Sequence, residues 1–372
     1  MLSLHLRKFS ALFANYGLGA VKNVWLLTSL LPIARTVNLN KLKDHIGSAL
    51  GNSDVSPSSH YRRLTRFFKD WGNNQELRHD LMRQNLLLLK KLGHKTLVID
   101  GTSWKIGETC VHYLVVSILV GKVAVPLYWT QLGKIGASSQ CERKEMFEKA
   151  LSLFDLKGMS LLADREYIGK EWFNYLKANK INFVIRMRMG DYESDVDATK
   201  GKSYQQMLAR CASKGKSLQR NITLDAQSYT MVMMKNPKHS SPEPVFIFLT
   251  TLSDAKKAAD IYAKRWKIEC LFKHLKTNGY NLEDLNLKDT GKTLLMFTIV
   301  ATAYVLAIRE GICRKAKIPT NRYADGSQWP QTSLFREGLA ILTSKCHQFI
   351  DFLKYVFKAM ATKNHAIFKN VQ

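Results

Sequence analysis

The sequence predicts an α/β (α+β) fold, with a mixed sheet in the middle of the chain and helices before and after it. Three observations lead to this prediction. Apolar residues recur with helical spacing in residues 9–34 and 77–92. Short runs rich in β-branched and aromatic residues begin near residue 95. A long apolar segment, residues 293–308, indicates a buried helix that is too short to span a membrane.

Residues 1–92 are predicted to be a helical domain, and their most informative part is residues 53–72. Ser58 or Ser59 is suited to cap a helix at its start, and Gly72 is suited to end it. Basic side chains share one face of that helix: Arg62, Arg63, Arg66 and Lys69. Such a face suits a helix laid against DNA, and a solvated face on a small helical bundle fits the pattern equally well.

Residues 93–310 are predicted to form the central domain. Its first five strands are expected at residues 95–100, 109–120, 122–132, 159–164 and 181–188. Helices are expected at residues 141–156 and 169–179. Three hairpin-connected strands, followed by helix, strand, helix and strand, is the order of a ribonuclease-H-like fold. In that fold the first and fourth strands are neighbours, and the mixed sheet is covered on both faces.

Residues 189–244 interrupt this order with a polar segment that contains several glycines and ends in prolines. Alternating residues at 218–234 predict antiparallel strands, so we expect an inserted β subdomain. Residues 244–252 return to the central domain as a strand, and a helix begins near Ser253 or Asp254. Residues 311–372 are predicted to be a C-terminal helical region.

Charge and cysteine usage narrow the class of protein. The 372 residues carry a net charge of +26, which favours a polyanionic partner, with nucleic acid ahead of an anionic membrane because the excess is spread along the whole chain. Six scattered cysteines without a C-x-x-C pair indicate a reducing compartment and neither a disulfide framework nor a zinc site. No secretory signal is evident at the N-terminus. We therefore expect a cytoplasmic protein with no membrane partner.

Residues 262–276 are predicted to be one helix with a cationic side and an apolar side. The polar side carries Tyr262, Arg265, Trp266, Glu269, Lys273 and Lys276. Taken alone, Glu269 between Arg265 and Lys273 is an ordinary exposed ion-pair ladder, worth a few tenths of a kcal/mol per pair.

Two further acids change this interpretation. Asp100 and Asp164 are each expected at the end of a strand, and those strands are predicted neighbours. Each alone has a local explanation, Asp100 in a turn with Gly101 and Asp164 as a helix cap. Together with Glu269 they predict a site for Mg²⁺ or Mn²⁺, because these ions prefer oxygen ligands. Two such ions about 3.5–4 Å apart can activate the attacking oxygen and stabilise the leaving oxygen when a phosphodiester bond is broken.

The spacing of Tyr262, Arg265, Glu269 and Lys276 resembles the YREK signature of bacterial DDE transposases of the insertion-sequence-four family. The segments IDGTSW (99–104) and LLADREYIG (161–169) resemble the two aspartate motifs of that family, and a β-rich insertion before the glutamate is also typical of it. The resemblance covers about residues 95–280.

The resemblance implies roles for individual residues. Asp100, Asp164 and Glu269 would bind two catalytic metal ions. Tyr262, Arg265 and Lys276 would hold phosphates of the transposon end, with Lys273 on the same stripe. Trp266 is similar to an aromatic residue near a flipped base, and Arg165 and Glu166 would contact DNA or orient Asp164.

The implied function is a transposase that binds terminal inverted repeats as a homodimer, cuts the element ends with water and joins the 3′ ends to target DNA. No small-molecule cofactor is expected. Some members of that family cut through a DNA hairpin and stack the flipped base on a tryptophan in the insertion. This sequence departs from those members. This chain has none between Trp172 and Trp266, so Tyr204 or Tyr229 would have to replace it. There are two alternatives. One is a metal-dependent nuclease of the same fold that cuts DNA without strand transfer, and the other is an inactive DNA-binding protein derived from a transposase.

Overall fold

An eight-stranded mixed sheet forms the centre of the protein in the computed structural model, which describes residues 15–52, 54–89, 95–106, 109–215, 217–236 and 243–361. The strands of this sheet are β1 Thr96–Ile106, β2 Thr109–Val120, β3 Val123–Leu132, β4 Ser160–Ala163, β5 Asn182–Arg186, β6 Leu218–Leu224, β7 Gln227–Lys235 and β8 Val245–Thr250. From edge to edge they follow the order β3-β2-β1-β4-β5-β8-β7-β6. A separate hairpin pairs β9 Thr320–Arg322 with β10 Gln328–Pro330.

Helices flank the sheet and make up both ends of the described chain. Those before and between the early strands are α1 Leu18–Ala34, α2 Leu39–Leu42, α3 Ile46–Leu50, α4 Pro57–Trp71, α5 Gln75–Leu88, α6 Gln140–Leu153 and α7 Lys170–Ala178. The later ones are α8 Glu193–Asp197, α9 Tyr204–Lys214, α10 Ala255–Tyr262, α11 Lys267–Leu275, α12 Thr290–Arg314, α13 Leu334–Lys345 and α14 Phe349–Ala361.

The predicted fold class and strand order are confirmed. β1 pairs antiparallel with β2 and parallel with β4, so the first and fourth strands are neighbours. β2 pairs antiparallel with β3, and β4 pairs parallel with β5. One boundary was wrong: β1 continues to Ile106 instead of ending at Asp100, because residues 101–106 stay paired with β2.

The two faces of the sheet are covered by different elements. Trp104 on β1 packs against Phe297 of α12, with ring centroids 5.4 Å apart. Gly101, three positions before Trp104 on the same strand, lies on the other face, where the hydroxyl of Tyr167 is within 4 Å of the site of a Cβ atom. Tyr167 belongs to the loop between β4 and α7. At β1 the sheet is therefore covered by α12 on one face and by this loop on the other.

The inserted segment, residues 189–244, contains α8 and α9 as well as the predicted antiparallel pair β6 and β7. β7 pairs with β8, and β8 pairs with β5, so the insertion lengthens the main sheet. The prolines Pro237 and Pro242 lie outside the described residues.

The predicted buried helix is α12, and its burial is confirmed. It is longer than the run 293–308, and the continuous helical stretch Thr290–Lys317 is long and apolar enough to cross a membrane by length and composition. The expectation that it is too short for a span was wrong, because the helix continues past the apolar run. In the protein, 89% of its most apolar window is buried.

The N-terminal helices differ from prediction mainly at their starts. α1 begins at Leu18, and the predicted helical residues 9–14 and 90–92 lie outside the described residues. α4 is capped by Ser56 and not by Ser58 or Ser59, since the Ser56 side chain accepts a hydrogen bond from the Ser59 amide. Pro57 suits the first helical position because its missing N–H would have no partner there.

The C-terminal region contains more than helices. The hairpin of β9 and β10 precedes α13 and α14, and the predicted helical residues 362–372 lie outside the described residues. α13 packs closely along α12. Gly338 of α13 makes this approach possible, since a Cβ atom there would lie 1.8 Å from the carbonyl oxygen of Ala307.

Candidate active site

Asp100 lies inside β1, at the point where the strand loses one of its two neighbours. β4 pairs with β1 only as far as Val98, while β2 pairs with it from Leu97 to Ile106. The side of β1 that faced β4 is therefore open at Asp100. The carboxylate accepts a hydrogen bond from the Gly101 amide at 2.9 Å and is 18% exposed. Gly101 leaves room for the ring of His112, which a Cβ atom would approach to 2.7 Å.

Asp164 follows directly after β4, the strand beside β1. Its Oδ1 accepts a hydrogen bond from the backbone amide of Arg165 at 2.8 Å. Since β4 and β1 are parallel neighbours, both aspartates lie at the same end of the strand pair. This placement is the one expected from the strand order.

The predicted helix over residues 262–276 is divided. The whole helical segment begins at the expected cap, Asp254. It consists of α10, a 3₁₀ turn over Ala263–Trp266, and α11. Arg265 lies in the turn and Glu269 in the first half of α11. The expectation of one continuous helix was therefore wrong. Ile268, Leu271, Phe272 and Leu275 nevertheless form the predicted buried side of α11.

The guanidinium of Arg265 brings the three acids together. Its Nη1 lies 3.1 Å from Asp100 Oδ2, and its Nη2 lies 2.8 Å from Glu269 Oε1 and 3.9 Å from Asp164 Oδ2. Side chains from β1, from the end of β4 and from α11 thus converge on one cation, which is 15% exposed. The convergence expected for the three carboxylates is present, with Arg265 between them.

The electrostatics of this cluster follow from burial. Burial raises the pKa of Asp100 to about 7, although Arg265 and the Gly101 amide lower it, and Glu166 and Asp164 add to the rise. Burial alone lowers the pKa of Arg265. Tyr262 and the three carboxylates outweigh this effect, so its net pKa is raised and it stays charged. The protein therefore keeps carboxylates in a partly dry site by placing a cation among them.

Three carboxylates are suitable ligands for a hard divalent cation. In their present arrangement they are directed to Arg265, and within the described ranges no group of three or more His, Cys, Asp or Glu side chains is disposed to hold a metal ion. The donor chemistry fits Mg²⁺ or Mn²⁺, and the guanidinium of Arg265 lies among the donors.

The remaining residues of the predicted stripe lie around this cluster. Tyr262 is largely buried and packs on Phe248, and burial followed by the charge of Asp164 raises its pKa. Lys276 lies just beyond α11, where its ammonium donates to the Ser103 carbonyl at 2.9 Å. Trp266 is 52% exposed, and the ammonium of Lys273 lies 5.3 Å from its ring centre. The roles predicted for these residues remain predictions.

Arg165, beside the second acid, is held away from Asp164 by a different partner. It forms a salt bridge with Glu243, which also binds Arg186 of β5. Glu166 lies on the same loop, close enough to raise the pKa of Asp100. Of the two charged residues of the predicted motif, Glu166 therefore acts on the site, while Arg165 is paired with Glu243.

The predicted basic face of α4 is split by the structure. Arg62, Arg66 and Lys69 line a polar concavity of about 600 Å³ together with Lys292 of α12. Arg63 points elsewhere and donates from Nε to Asn23 of α1 at 2.8 Å. Burial lowers the pKa of Arg63. Three of the four predicted residues therefore offer charge to a partner, and Arg63 connects two helices.

Arg143 of α6 is a site residue that the sequence interpretation missed. It is 4% exposed, and its Nη2 donates to the Glu166 carbonyl at 2.7 Å while its Nη1 donates to that of Ile168 at 3.2 Å. The guanidinium also lies 5.0 Å from the ring centre of Tyr167. It thereby anchors the loop that begins at Asp164. A signal existed, since Arg143 shares helical spacing with the apolar residues Met146 and Phe147.

This chain is similar to proteins that are already known. The profile of the family described as "Transposase DDE domain" matches residues 91–306. Among solved structures, the cryo-EM structure of the piggyBac transposase synaptic complex with hairpin DNA is similar, with a TM-score of 0.49 and 11% identity over 94% of this chain and 76% of that chain. No curated protein matches the sequence.

Proposed function

This chain belongs to the Transposase DDE domain family, and we propose that it is a DNA transposase of the YREK-signature, insertion-sequence-four type. It would bind terminal inverted repeats, cleave at the element ends and join the 3′ ends to target DNA. The observation that carries the proposal is the convergence of Asp100, Asp164 and Glu269 on Arg265.

DDE transposase domains normally use divalent metal ions. In this protein Asp100, Asp164 and Glu269 would hold them, two Mg²⁺ or Mn²⁺ ions per site. Bound there, such ions would supply activation of the attacking oxygen and stabilisation of the leaving oxygen in a displacement at phosphorus. Water would be the nucleophile for end cleavage and the 3′ hydroxyl for strand transfer, so both steps can use one site.

Arg265 would have two roles, one before DNA binds and one after. Before DNA binds, its guanidinium lies among the three carboxylates and offsets part of their charge. For the acids to take up metal ions, Arg265 has to release them, and a DNA phosphate offers it a bidentate partner in exchange. Tyr262 and Lys276 lie on either side in sequence and would hold neighbouring phosphates.

Double-stranded DNA would be bound along several surfaces of this strongly basic protein. α4 presents Arg62 and Arg66 in an open concavity, and Trp266 and Lys273 are exposed beside the acids. A homodimer would hold both transposon ends in one synaptic complex. The net charge of +26 supports a place on the bacterial nucleoid in the cytoplasm.

The deciding experiment is a strand-transfer assay with DNA carrying the inverted repeats that flank the gene. Purified protein is incubated with labelled end DNA, a target plasmid and Mg²⁺, and the products are separated on a denaturing gel. Joined products are expected. Cleaved ends without joined products would show the metal-dependent nuclease, and DNA binding with neither product would show the inactive descendant.

A further inference from the structure

A cavity of about 460 Å³ lies beside α11, outside the cluster of acids. Its wall is formed by the turn between β2 and β3, by α11, by α12 and by the segment that carries the hairpin of β9 and β10. Apolar and aromatic side chains make up much of the lining, including Tyr304, Ile318, Trp329 and Leu334. The volume is in the range of about 300–1,000 Å³ that is usual for ligand sites.

The charge around the cavity is entirely positive. Lys122, Lys267 and Lys315 line it, and none of the described residues in the lining is acidic. In the part of the chain that the structure describes, none of these three lysines forms a salt bridge. Three ammonium groups without acidic partners, placed around an apolar cavity, suit a ligand that combines phosphates with a flat apolar surface.

Exposed aromatic rings mark the same region. Trp329 is 59% exposed and lines the cavity, and Tyr323 of the same hairpin is 52% exposed. All six residues in the two strands of the hairpin are exposed. Exposed aromatic rings beside lysines are the features that bind unpaired nucleotides, because every base offers a face for stacking.

α11 connects this cavity with the acids. Counted from Glu269 at 100° per residue, Cys270 and His274 lie about 100° and 140° away and line the cavity. Lys273 lies about 40° away, between the two faces, and stacks on the exposed ring of Trp266. A strand of DNA leaving the acids can therefore pass Trp266 and Lys273 and reach the cavity along one basic surface.

We propose that this cavity binds an unpaired segment of DNA, with a base stacked on Trp329 and the adjoining phosphates on Lys122, Lys267 and Lys315. The inference rests on the proposed function, since the DNA would be the strand held at the acids. Single-stranded DNA is favoured over duplex because paired bases are stacked within the helix and cannot offer their faces to a protein ring.

The test compares two probes by fluorescence anisotropy, a labelled 12-nucleotide oligothymidylate and a blunt 24-base-pair duplex. Trp329→Ala is expected to weaken oligothymidylate binding about 5- to 100-fold while changing duplex binding less than about twofold. Trp329→Phe keeps an aromatic face and should restore most of the affinity. Equal affinities of wild-type protein and Trp329→Ala for the oligothymidylate would overturn the inference.

The lysines are tested through salt dependence. A variant with Lys122, Lys267 and Lys315 all changed to alanine should lower the slope of log affinity for oligothymidylate against log salt by about 2, at about 0.7 per phosphate. The control changes the exposed lysines Lys149, Lys157 and Lys200, which do not line the cavity. An equal fall in both triple variants would refute a localised site.

Two further outcomes separate this inference from the proposed function. If the wild-type protein binds neither probe, the proposed function fails and the inference falls with it. If strand transfer proceeds and Trp329→Ala binds oligothymidylate like the wild-type protein, only the inference fails. A change from dimer to monomer in Trp329→Ala, seen by sedimentation velocity with unchanged DNA binding, would show that the surface is a contact between two copies and would overturn the inference.

Discussion

Arg265 and Asp100 are 165 residues apart in sequence, and their side chains lie 3.1 Å apart in the folded protein. Arg265 comes from a 3₁₀ turn and Asp100 from the inner part of a strand. This contact connects the late helical segment to the sheet and places a cation where three acids meet.

Removing a single acid should stop the chemistry and leave DNA binding intact. Asp100→Asn, Asp164→Asn and Glu269→Gln should each lower end cleavage and strand transfer by at least about 1,000-fold, as is found when one member of a cooperating catalytic group is lost. End binding in gel-shift assays should change less than about threefold. The controls are Asp260→Asn and Glu148→Gln, which make the same changes at exposed positions. Full activity of any of the three site variants would remove that residue from the site.

The pKa of Asp100 gives a pH dependence of stability. In the folded protein this pKa is about 7, so the native state keeps a proton that the unfolded chain releases near pH 4. The contribution is therefore favourable at low pH, is lost as pH rises towards 7, and is constant above that. Between pH 5 and pH 8 the wild-type protein should lose on the order of 2–3 kcal/mol relative to Asp100→Asn.

Urea unfolding in EDTA at pH 5 and pH 8 measures this difference. Asp100→Asn should gain stability relative to the wild-type protein at the higher pH, and the exposed control Asp260→Asn should show no such gain. Parallel pH dependences of the wild-type protein and Asp100→Asn would contradict the raised pKa. In that case the ionised carboxylate of Asp100 would not lower the free energy of unfolding.

Arg143 should matter for both stability and activity because it anchors the loop that carries Asp164. Arg143→Met leaves the partly buried carbonyls of Glu166 and Ile168 without this donor, which should cost about 2–4 kcal/mol of unfolding free energy. The unfolding free energy of Arg143→Lys should lie between those of Arg143→Met and the wild-type protein. The neighbouring Lys144→Met loses only a surface salt bridge with Glu171, so its unfolding free energy should stay close to that of the wild-type protein.

Cleavage by the Arg143 variants distinguishes positioning from general support of the fold. Rates should be measured at a temperature where each variant is folded by circular dichroism. The Mg²⁺ concentration for half-maximal cleavage should rise in Arg143→Lys, because Asp164 is less well placed. If the variant is folded and its Mg²⁺ dependence equals that of the wild-type protein, Arg143 supports the fold alone.

The arginines of α4 should separate into two kinds. Arg62→Ala and Arg66→Ala should each weaken duplex binding and lower the salt slope by about 0.9, since each loses one phosphate contact. Arg63→Ala should instead lower the unfolding free energy by about 1–2 kcal/mol through loss of its bond to Asn23, with little change in salt slope. Equal salt slopes for all three variants would show that α4 does not meet DNA in this orientation.

Much of the site was predictable from local patterns. The alternation of β-branched runs with helical segments predicted the mixed sheet, and the order of those segments made β1 and β4 neighbours. Asp100 and Asp164 could then be placed together, because parallel neighbouring strands end at the same side of a sheet. The spacing of Arg265 and Glu269, one helical turn apart, indicated that they meet.

Other features depend on contacts between segments far apart in sequence. Local pattern placed the end of β1 at Asp100, whereas pairing with β2 carries the strand six residues further. The role of Arg143 depends on the carbonyls of a loop more than 20 residues away. The cavity beside Trp329 exists only because the C-terminal hairpin lies near α11 and the β2–β3 turn.

By itself the sequence predicted the fold class, the adjacency of β1 and β4 and the three acids of the candidate site, since each of these was read from patterns along the chain. Only the tertiary structure decided what lies between the acids. The carboxylates converge on the guanidinium of Arg265, because charges that are buried together need a counter-charge at close range. A spacing pattern shows which residues share a face, and the packed structure shows which partner each charge takes.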